Sequence, residues 1–486
     1  MKHSFTELVQ WLIKDVEMRK RLIFTVAVVA LLRLAFMIPI PGIDLSRVEM
    51  FMRGIGDKPS PIFQYNVLKS ARISIFSLGM MTFVSSCLLL QLASVVMPLL
   101  RGYLMGDEKG RAKIVQYTYA LTLALSVIQS FIISLWLQNP NRFGGISIVS
   151  NPGMVFQITC VLTMTSAVVL IIFLAEMINR RGIGNGYAWV IISPLFIDFI
   201  VYCQRFSTAL MSSEPANRIS SPGTAPLIIL LTAMLIYGAY YFYNKKTTVK
   251  INRNNAEVGT LNFRPTMVGR EAISYTKIAF IIPFCSTLFD KSYISYLVYV
   301  IAAIFWLTFL YSRVVFDSNR MAGQIRQFGF SIEGTDLLKQ RMNENLKIAA
   351  LFLIAAFVLP DLLEEYVGVN EIGGKSSIAF GLIPHFSIIV FIGVLLDTLS
   401  QVNFFKSKQE SSEKDWGVCY TAFTEPEAEI KTMYLKTHGI KSLIEPFRFS
   451  WGMPIRTMID QYRIYTPSDK ISEARNLILK VDNPTI

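Results

Sequence analysis

The chain has 486 residues, 52% of them hydrophobic and only 17% charged, and carries a net charge of +13. With a mean hydropathy of +0.45, that balance excludes an ordinary soluble globular protein. The three histidines, His3, His385 and His438, lie far apart, and the five cysteines, Cys87, Cys160, Cys203, Cys285 and Cys419, show neither a disulfide framework nor paired metal spacing. Zinc chemistry and a histidine relay are therefore excluded as well.

A basic segment over 1–21 comes first. Ten apolar runs follow, each about as long as a ~30 Å hydrocarbon core requires: roughly 22–40, 74–100, 115–137, 154–178, 187–203, 224–243, 273–289, 293–312, 346–363 and 386–405. The first is read as a retained helix, because Pro39 and Pro41 stand where a cleaved signal would have small residues, and nine more runs follow it. An even number of spans puts both termini on one side. The first segment and every second connection carry 25 Lys and Arg against 10 in the opposite connections, which predicts that side to be the cytoplasm. The same charge offers a basic face to an anionic partner such as lipid headgroups, a ribosome or an acidic protein.

Charges inside the runs are few. Arg33 and Lys277 lie deep, where a charge costs at least ~2.5 kcal/mol, and they either snorkel or pair between helices or line an aqueous cavity. Glu176 and Asp397 sit near cytoplasmic ends, where carboxylates are tolerated. The string Arg181-Gly182-Ile183-Gly184-Asn185-Gly186 is superficially like a phosphate-cradling loop, yet it follows an apolar helix and no Lys-Ser/Thr pair closes it. It reads as a tight cytoplasmic hairpin between two membrane helices. No residue set suggests an enzyme, a cofactor or a metal.

After the last run the composition changes, and residues 416–486 read as a small cytoplasmic domain. An alternating apolar run at 417–423 precedes Thr424-Glu425-Pro426-Glu427, a capped helix start with an acidic first turn, and Gly439 stops that helix. Strand-like runs at 441–449 and 461–466 come next, then a helix from about Ser468 and Asp469 to Lys480. The order β-α-β-β-α predicts a ferredoxin-like α+β module, just large enough at ~70 residues for its own core. The expected division is a cytoplasmic N-terminal segment over 1–21, a ten-helix domain over 22–410 and this domain over 416–486.

The polar strings between the runs carry more information than the runs. They are Ile38-Pro39-Ile40-Pro41-Gly42-Ile43-Asp44; Ala71-Arg72-Ile73-Ser74-Ile75-Phe76-Ser77-Leu78-Gly79; Gly110-Arg111-Ala112-Lys113-Ile114-Val115-Gln116-Tyr117-Thr118 after Pro98 and Leu100; and Glu176 followed by the Gly-rich string at 181–186. Leu261-Asn262-Phe263-Arg264 leading to Gly269, and Asp397-Thr398 with Gln401-Val402, complete them. In this order, over about residues 20–405, they resemble the SecY family, the channel subunit of the protein-export translocon.

The resemblance implies an all-α polytopic membrane protein whose ten transmembrane helices form two pseudo-symmetric five-helix halves around an hourglass pore. Such a pore passes unfolded secretory proteins across the bacterial cytoplasmic (inner) membrane and releases membrane-protein segments sideways into lipid, between the second and seventh helices. An apolar ring at the waist is dry when empty and blocks ions. Carried over by position, the ring is Met80, Val84, Tyr187, Ile191, Ser274 and Val390, with Tyr187 and Ser274 departing from the aliphatic pattern. The plug of the outer funnel corresponds to about 61–73, with Pro61, Phe63, Leu68 and Arg72.

Implied partners are SecE-like and SecG-like small membrane subunits, a SecA-like motor ATPase and/or a ribosome, the translocated polypeptides and membrane lipid, with no nucleic-acid specificity. Lys245, Lys246, Lys250, Arg253, Arg326 and Arg341 are the expected cytoplasmic contacts. Where the family usually carries Arg-Pro-Gly between its eighth and ninth helices, this chain reads Ser331-Ile332-Glu333-Gly334-Thr335. A secondary transporter of a small solute is the alternative from another class, and it would use ionisable midplane residues such as Arg33 and Lys277.

Overall fold

The computed structural model describes residues 10–55, 73–193, 224–263, 318–332, parts of 340–359, 385–411, 415–445 and 462–482, with short gaps. The seventh and eighth apolar runs, at 273–289 and 293–312, lie outside the described residues, apart from a single position at 301.

Helix α1 spans Val16–Ala35. It starts six residues before the first apolar run because Asp15 caps it, accepting from the Met18 amide at 2.9 Å, and Glu17 in the first turn pairs with Arg21 at 2.8 Å. It stops before the run does. Pro39 and Pro41 cannot continue a helix, and Pro39 instead bridges to Ser74. The loop 38–44 is threaded through hydrogen bonds: the Ile40 amide donates to the Ile73 carbonyl at 2.9 Å, Ile75 to Ile38 at 3.1 Å, Asp44 to Ile148 at 2.9 Å and Ser150 to Gly42 at 3.0 Å. Gly42 has φ +89°, and a Cβ there would lie 3.1 Å from the Phe156 ring. Two of the strings that carry the family resemblance thus meet in space. Asp44 then caps α2 (Leu45–Ile55) by accepting from the Ser46 amide at 3.0 Å.

The run at 74–100 is not one helix. It divides into α3 (Met81–Val96) and α4 (Pro98–Met105), with Met97 extended at φ −101° and ψ 106°. Pro98 has no N–H to donate and disfavours helical backbone at the preceding residue, which fixes the break there. Helices α5 (Glu108–Leu137) and α6 (Met154–Arg181) follow. Their segments 113–137 and 154–181 are long and apolar enough to cross a membrane. One face of α5 is a buried row of small hydroxyls, Thr118, Thr122, Ser126, Ser130 and Ser134. Most donate to carbonyls in their own helix, as Thr118 does to Ile114 at 2.8 Å, so the row is polar yet satisfied. Small residues let α5 and α6 approach closely, and Ser130 comes within 3.5 Å of Thr165 on α6.

Helix α7 (Thr224–Asn244) packs on α9 (His385–Gln409). In the chain between these two helices a small sheet forms where only connections were expected. Strands β1 (Thr247–Arg253) and β2 (Ala256–Phe263) form an antiparallel hairpin, and β3 (Ser331–Ile332), which follows α8 (Ser318–Gln327), pairs with β1 in the order β2-β1-β3. Alternating apolar positions flanking Asn254 and Asn255 were the available signal.

The C-terminal part comprises β4 (Trp416–Ala422), α10 (Glu425–Thr437), β5 (Leu443–Glu445), β6 (Tyr462–Pro467) and α11 (Ile471–Asp482). Strand β6 lies between β4 and β5, antiparallel to both. Cys419, Ala422, Ala428, Leu435, Ile440, Tyr462, Ile464, Ala474 and Ile478 form its core. The opposite face of α10 joins a second apolar cluster, in which Ile430 packs with Ile251 of β1 and Met321, Ile325, Phe328 and Phe330 around α8. One helix therefore serves two cores.

Candidate functional site

Met80 and Val84 lie one turn apart at the start of α3, where the Val84 amide donates to the Met80 carbonyl at 3.1 Å, so both face the same way. Tyr187 and Ile191 lie one turn apart on the helix that opens at Gly186. All four belong to one buried apolar cluster with Val28 and Leu32 of α1, Phe83 and Cys87 of α3, and Ala167, Ile171, Leu174 and Ile178 of α6. Tyr187 is fully buried and stacks on Phe83 with ring centroids 5.3 Å apart and planes at 11°. Phe83 stacks in turn on Tyr119 at 5.9 Å. The aromatic departure at 187 is accommodated because its ring has an aromatic partner across the interface. Nothing in the sequence reading picked out Phe83.

Position 390 is on α9, and Ser274 lies outside the described residues. The plug positions Pro61, Phe63, Leu68 and Arg72 also lie outside them, whereas the end of that segment, Ile73, is fully buried.

The Gly-rich string forms the expected hairpin, and its backbone is satisfied by side chains. Asn185 caps the following helix, its Oδ1 accepting from Tyr187 at 2.9 Å and Ala188 at 3.3 Å. Asn179 on α6 accepts from Gly186 at 2.8 Å. A Cβ at Gly186 would overlap the Ala175 carbonyl of α6, so only glycine lets the two helices approach so closely. The hairpin also bonds to α1 and α9 through Thr25 and Gln401. Gln401 was visible as part of a motif; Thr25, one polar residue in an apolar run, gave no signal.

Of the expected cytoplasmic contacts, Lys250 is exposed on β1 and Arg326 is exposed in the last turn of α8. Arg253 ends β1, and Lys245, Lys246 and Arg341 lie outside the described residues. Strand β3 joins the segments that carry these residues, with Ile251 opposite Ile332 and Asn252 opposite Ser331. The C-terminal part meets the end of α9 at Tyr465, whose ring lies 5.4 Å from Phe404 and under the Lys408 ammonium at 4.5 Å. Burial there pushes the Lys408 ammonium below its usual value.

Met80, Val84, Tyr187 and Ile191 thus sit in one apolar cluster, with the polar side chains of Asn179 and Asn185 engaged in backbone hydrogen bonds beside it. The family model for SecY matches residues 74–399. The protein translocase subunit SecY of Aquifex aeolicus is 24% identical over 423 residues, covering 80% of this chain and 94% of that protein. That of Thermus thermophilus is 26% identical over 421 residues, covering 79% and 92%. A solved SecY structure, described as one whose plug domain stabilizes the closed state of the translocation channel, superposes with a TM-score of 0.51 at 12% identity, over 84% of this chain and 98% of that one, a likeness of fold. With a family match over residues 74–399, and with the strings at 38–44 and 71–79 joined to each other and the Gly-rich string joined to Gln401, the chain belongs to the SecY family of protein-conducting channels.

Proposed function

We propose that this chain forms the pore of a bacterial cytoplasmic-membrane translocon, with ten transmembrane helices in two five-helix halves and both termini in the cytoplasm. It passes unfolded secretory chains through the ring at Met80, Val84, Tyr187, Ile191, Ser274 and Val390 and releases apolar segments sideways into lipid. Residues 61–73 act as its plug. The observation that carries the ring is the gathering of Met80, Val84, Tyr187 and Ile191, which come from two separate segments, into one apolar cluster. Photocrosslinkers at Met80, Val84 and Ile191 should label a stalled secretory chain; labelling of lipid alone would overturn the pore assignment.

SecE-like and SecG-like subunits flank the pore in this reading, and a SecA-like motor or a ribosome docks on the basic cytoplasmic segments. Support comes from the exposure of Lys250 and Arg326 on adjoining elements. Reversing Lys245, Lys246, Lys250 and Arg253 to glutamate should weaken that docking and flatten its salt dependence. Unchanged binding at low salt would restrict these charges to topology.

The 416–486 segment is a ferredoxin-like module appended to the channel. Its support is the split β-α-β arrangement, β4 and β5 on either side of an antiparallel β6.

A further inference from the structure

The contacts between the Gly-rich hairpin and the two ends of the channel domain have no part in the pore described so far. The Ile183 amide donates to Thr25 Oγ1 of α1 at 2.8 Å, and Thr25 Oγ1 lies 3.3 Å from the Ile183 carbonyl. The next amide, Gly184, donates to Gln401 Oε1 of α9 at 2.7 Å. Ile183 itself is fully buried between Met18 of α1 and Val402 of α9, with Leu22 and Phe405 closing the cluster. The hairpin tip is a wedge held on both sides.

Its fit depends on missing side chains. A Cβ at Gly182 would overlap Thr25 Oγ1, and one at Gly184 would lie 2.7 Å from Thr398 Oγ1, with a φ of +76° that already favours glycine. Around the wedge the ends of α1 and α9 are tied further: Trp11 Nε1 donates to Gln409 Oε1 at 3.1 Å, and the Arg21 guanidinium lies 5.4 Å over the Phe405 ring. The amide nitrogens of Asn185 and Gln401, both deeply buried, have no acceptor among the described residues. A buried donor left without an acceptor is costly.

We infer that Gln401 and Thr25 are positioning residues that set the spacing of the pore ring through the hairpin. Gly184 is three residues before Tyr187, and Gln401 is eleven residues after position 390 on the continuous helix α9, about 16 Å along its axis. One hydrogen bond thus fixes the ring segment that carries Tyr187 and Ile191 against the helix that carries Val390. The inference rests on the pore reading proposed above.

The test compares the full chain, purified with its small membrane subunits and reconstituted in vesicles, with Gln401→Leu, Gln401→Glu and Thr25→Val at equal inserted amounts. Two quantities are measured, ion flux through the idle channel and passage of a secretory chain. Gln401→Leu should raise idle flux at least fivefold while passage persists, and Thr25→Val should raise it less. Gln401→Glu keeps an oxygen at the same reach and should return idle flux to within about twofold of wild type. A purely structural role would lower both quantities together in proportion to folded protein. Wild-type idle flux in both Gln401→Leu and Thr25→Val overturns the inference, as does equal leakage in Gln401→Leu and Gln401→Glu. Should Gln401→Leu not insert, Thr25→Val decides alone. Failure of the wild-type protein to pass a secretory chain would instead overturn the pore reading.

Discussion

Lys431 is 2% exposed on α10, and its ammonium bonds to Glu427 at 2.9 Å and Asp482 of α11 at 2.7 Å while lying 3.7 Å over the Tyr420 ring of β4. Burial alone would depress this ammonium, but Glu427, Tyr420 and Asp482 together outweigh it and raise it above its usual value. Replacing Lys431 with Met leaves two carboxylates facing an apolar boundary, and should destabilise the 416–482 region by about 3 kcal/mol, read as its earlier release in limited proteolysis under urea. A raised lysine contributes stability that is fully present below its unfolded value of 10.5 and is lost as pH rises through the higher folded value. The midpoint for that release should therefore be insensitive to this group from neutral to pH 10 and fall only in stronger alkali; a fall near pH 8 would contradict the pairing. This role was not legible in the chain, because a lysine four residues after a glutamate on a helix ordinarily reads as a solvated i, i+4 pair. Only the approach of α11 and β4 converts it into a buried centre.

At the level of elements, the motif-bearing connections were more legible than the helices around them. The Gly-rich string could be read as a hairpin because its glycines sit where no Cβ fits. Gly186→Ala forces a methyl into the Ala175 carbonyl, and should cost about 1–3 kcal/mol or displace the start of the helix that carries Tyr187. Pulse-chase degradation of the inserted protein would detect the loss, and a half-life equal to wild type would show that the helices can separate. Helix ends were less legible. A hydropathy window does not see that Pro98 cuts the run at 74–100 in two, or that Asp15 draws α1 outward from its apolar stretch. The hairpin of β1 and β2 was missed for another reason: seven- and eight-residue alternations of Thr, Val, Ile and Asn are weak beside twenty-residue apolar runs, and the strand that pairs with β1, β3, is about eighty residues away.

Across the whole molecule, the C-terminal segment was expected to stand apart, and its element order was readable from caps and alternation. What the sequence could not display is the outward face of α10, where Ile430, Met433 and Tyr434 pack on the cluster around α8 and β1, beside α11, whose Val481 carbonyl accepts from Gln327 Nε2 at 2.8 Å. Deleting 412–486 should therefore bare Ile251, Met321, Ile325, Phe328 and Phe330, and the expected result is new protease cleavage near 318–332 in membranes that otherwise retain the inserted channel. Unaltered cleavage would mean that those side chains find other cover. Expressed alone, 412–486 should give a dispersed amide spectrum from its own nine-residue core yet self-associate through the bared α10 face, which Ile430→Glu would reverse. The helix shared by two cores also imposes an order in time. A chain is made from its N-terminus, so β1, β2 and α8 emerge first and wait with an apolar face uncovered until α10 has left the ribosome. Closure over that face therefore follows the insertion of the segments that bear it, and a product stalled before α10 is marked by its absence.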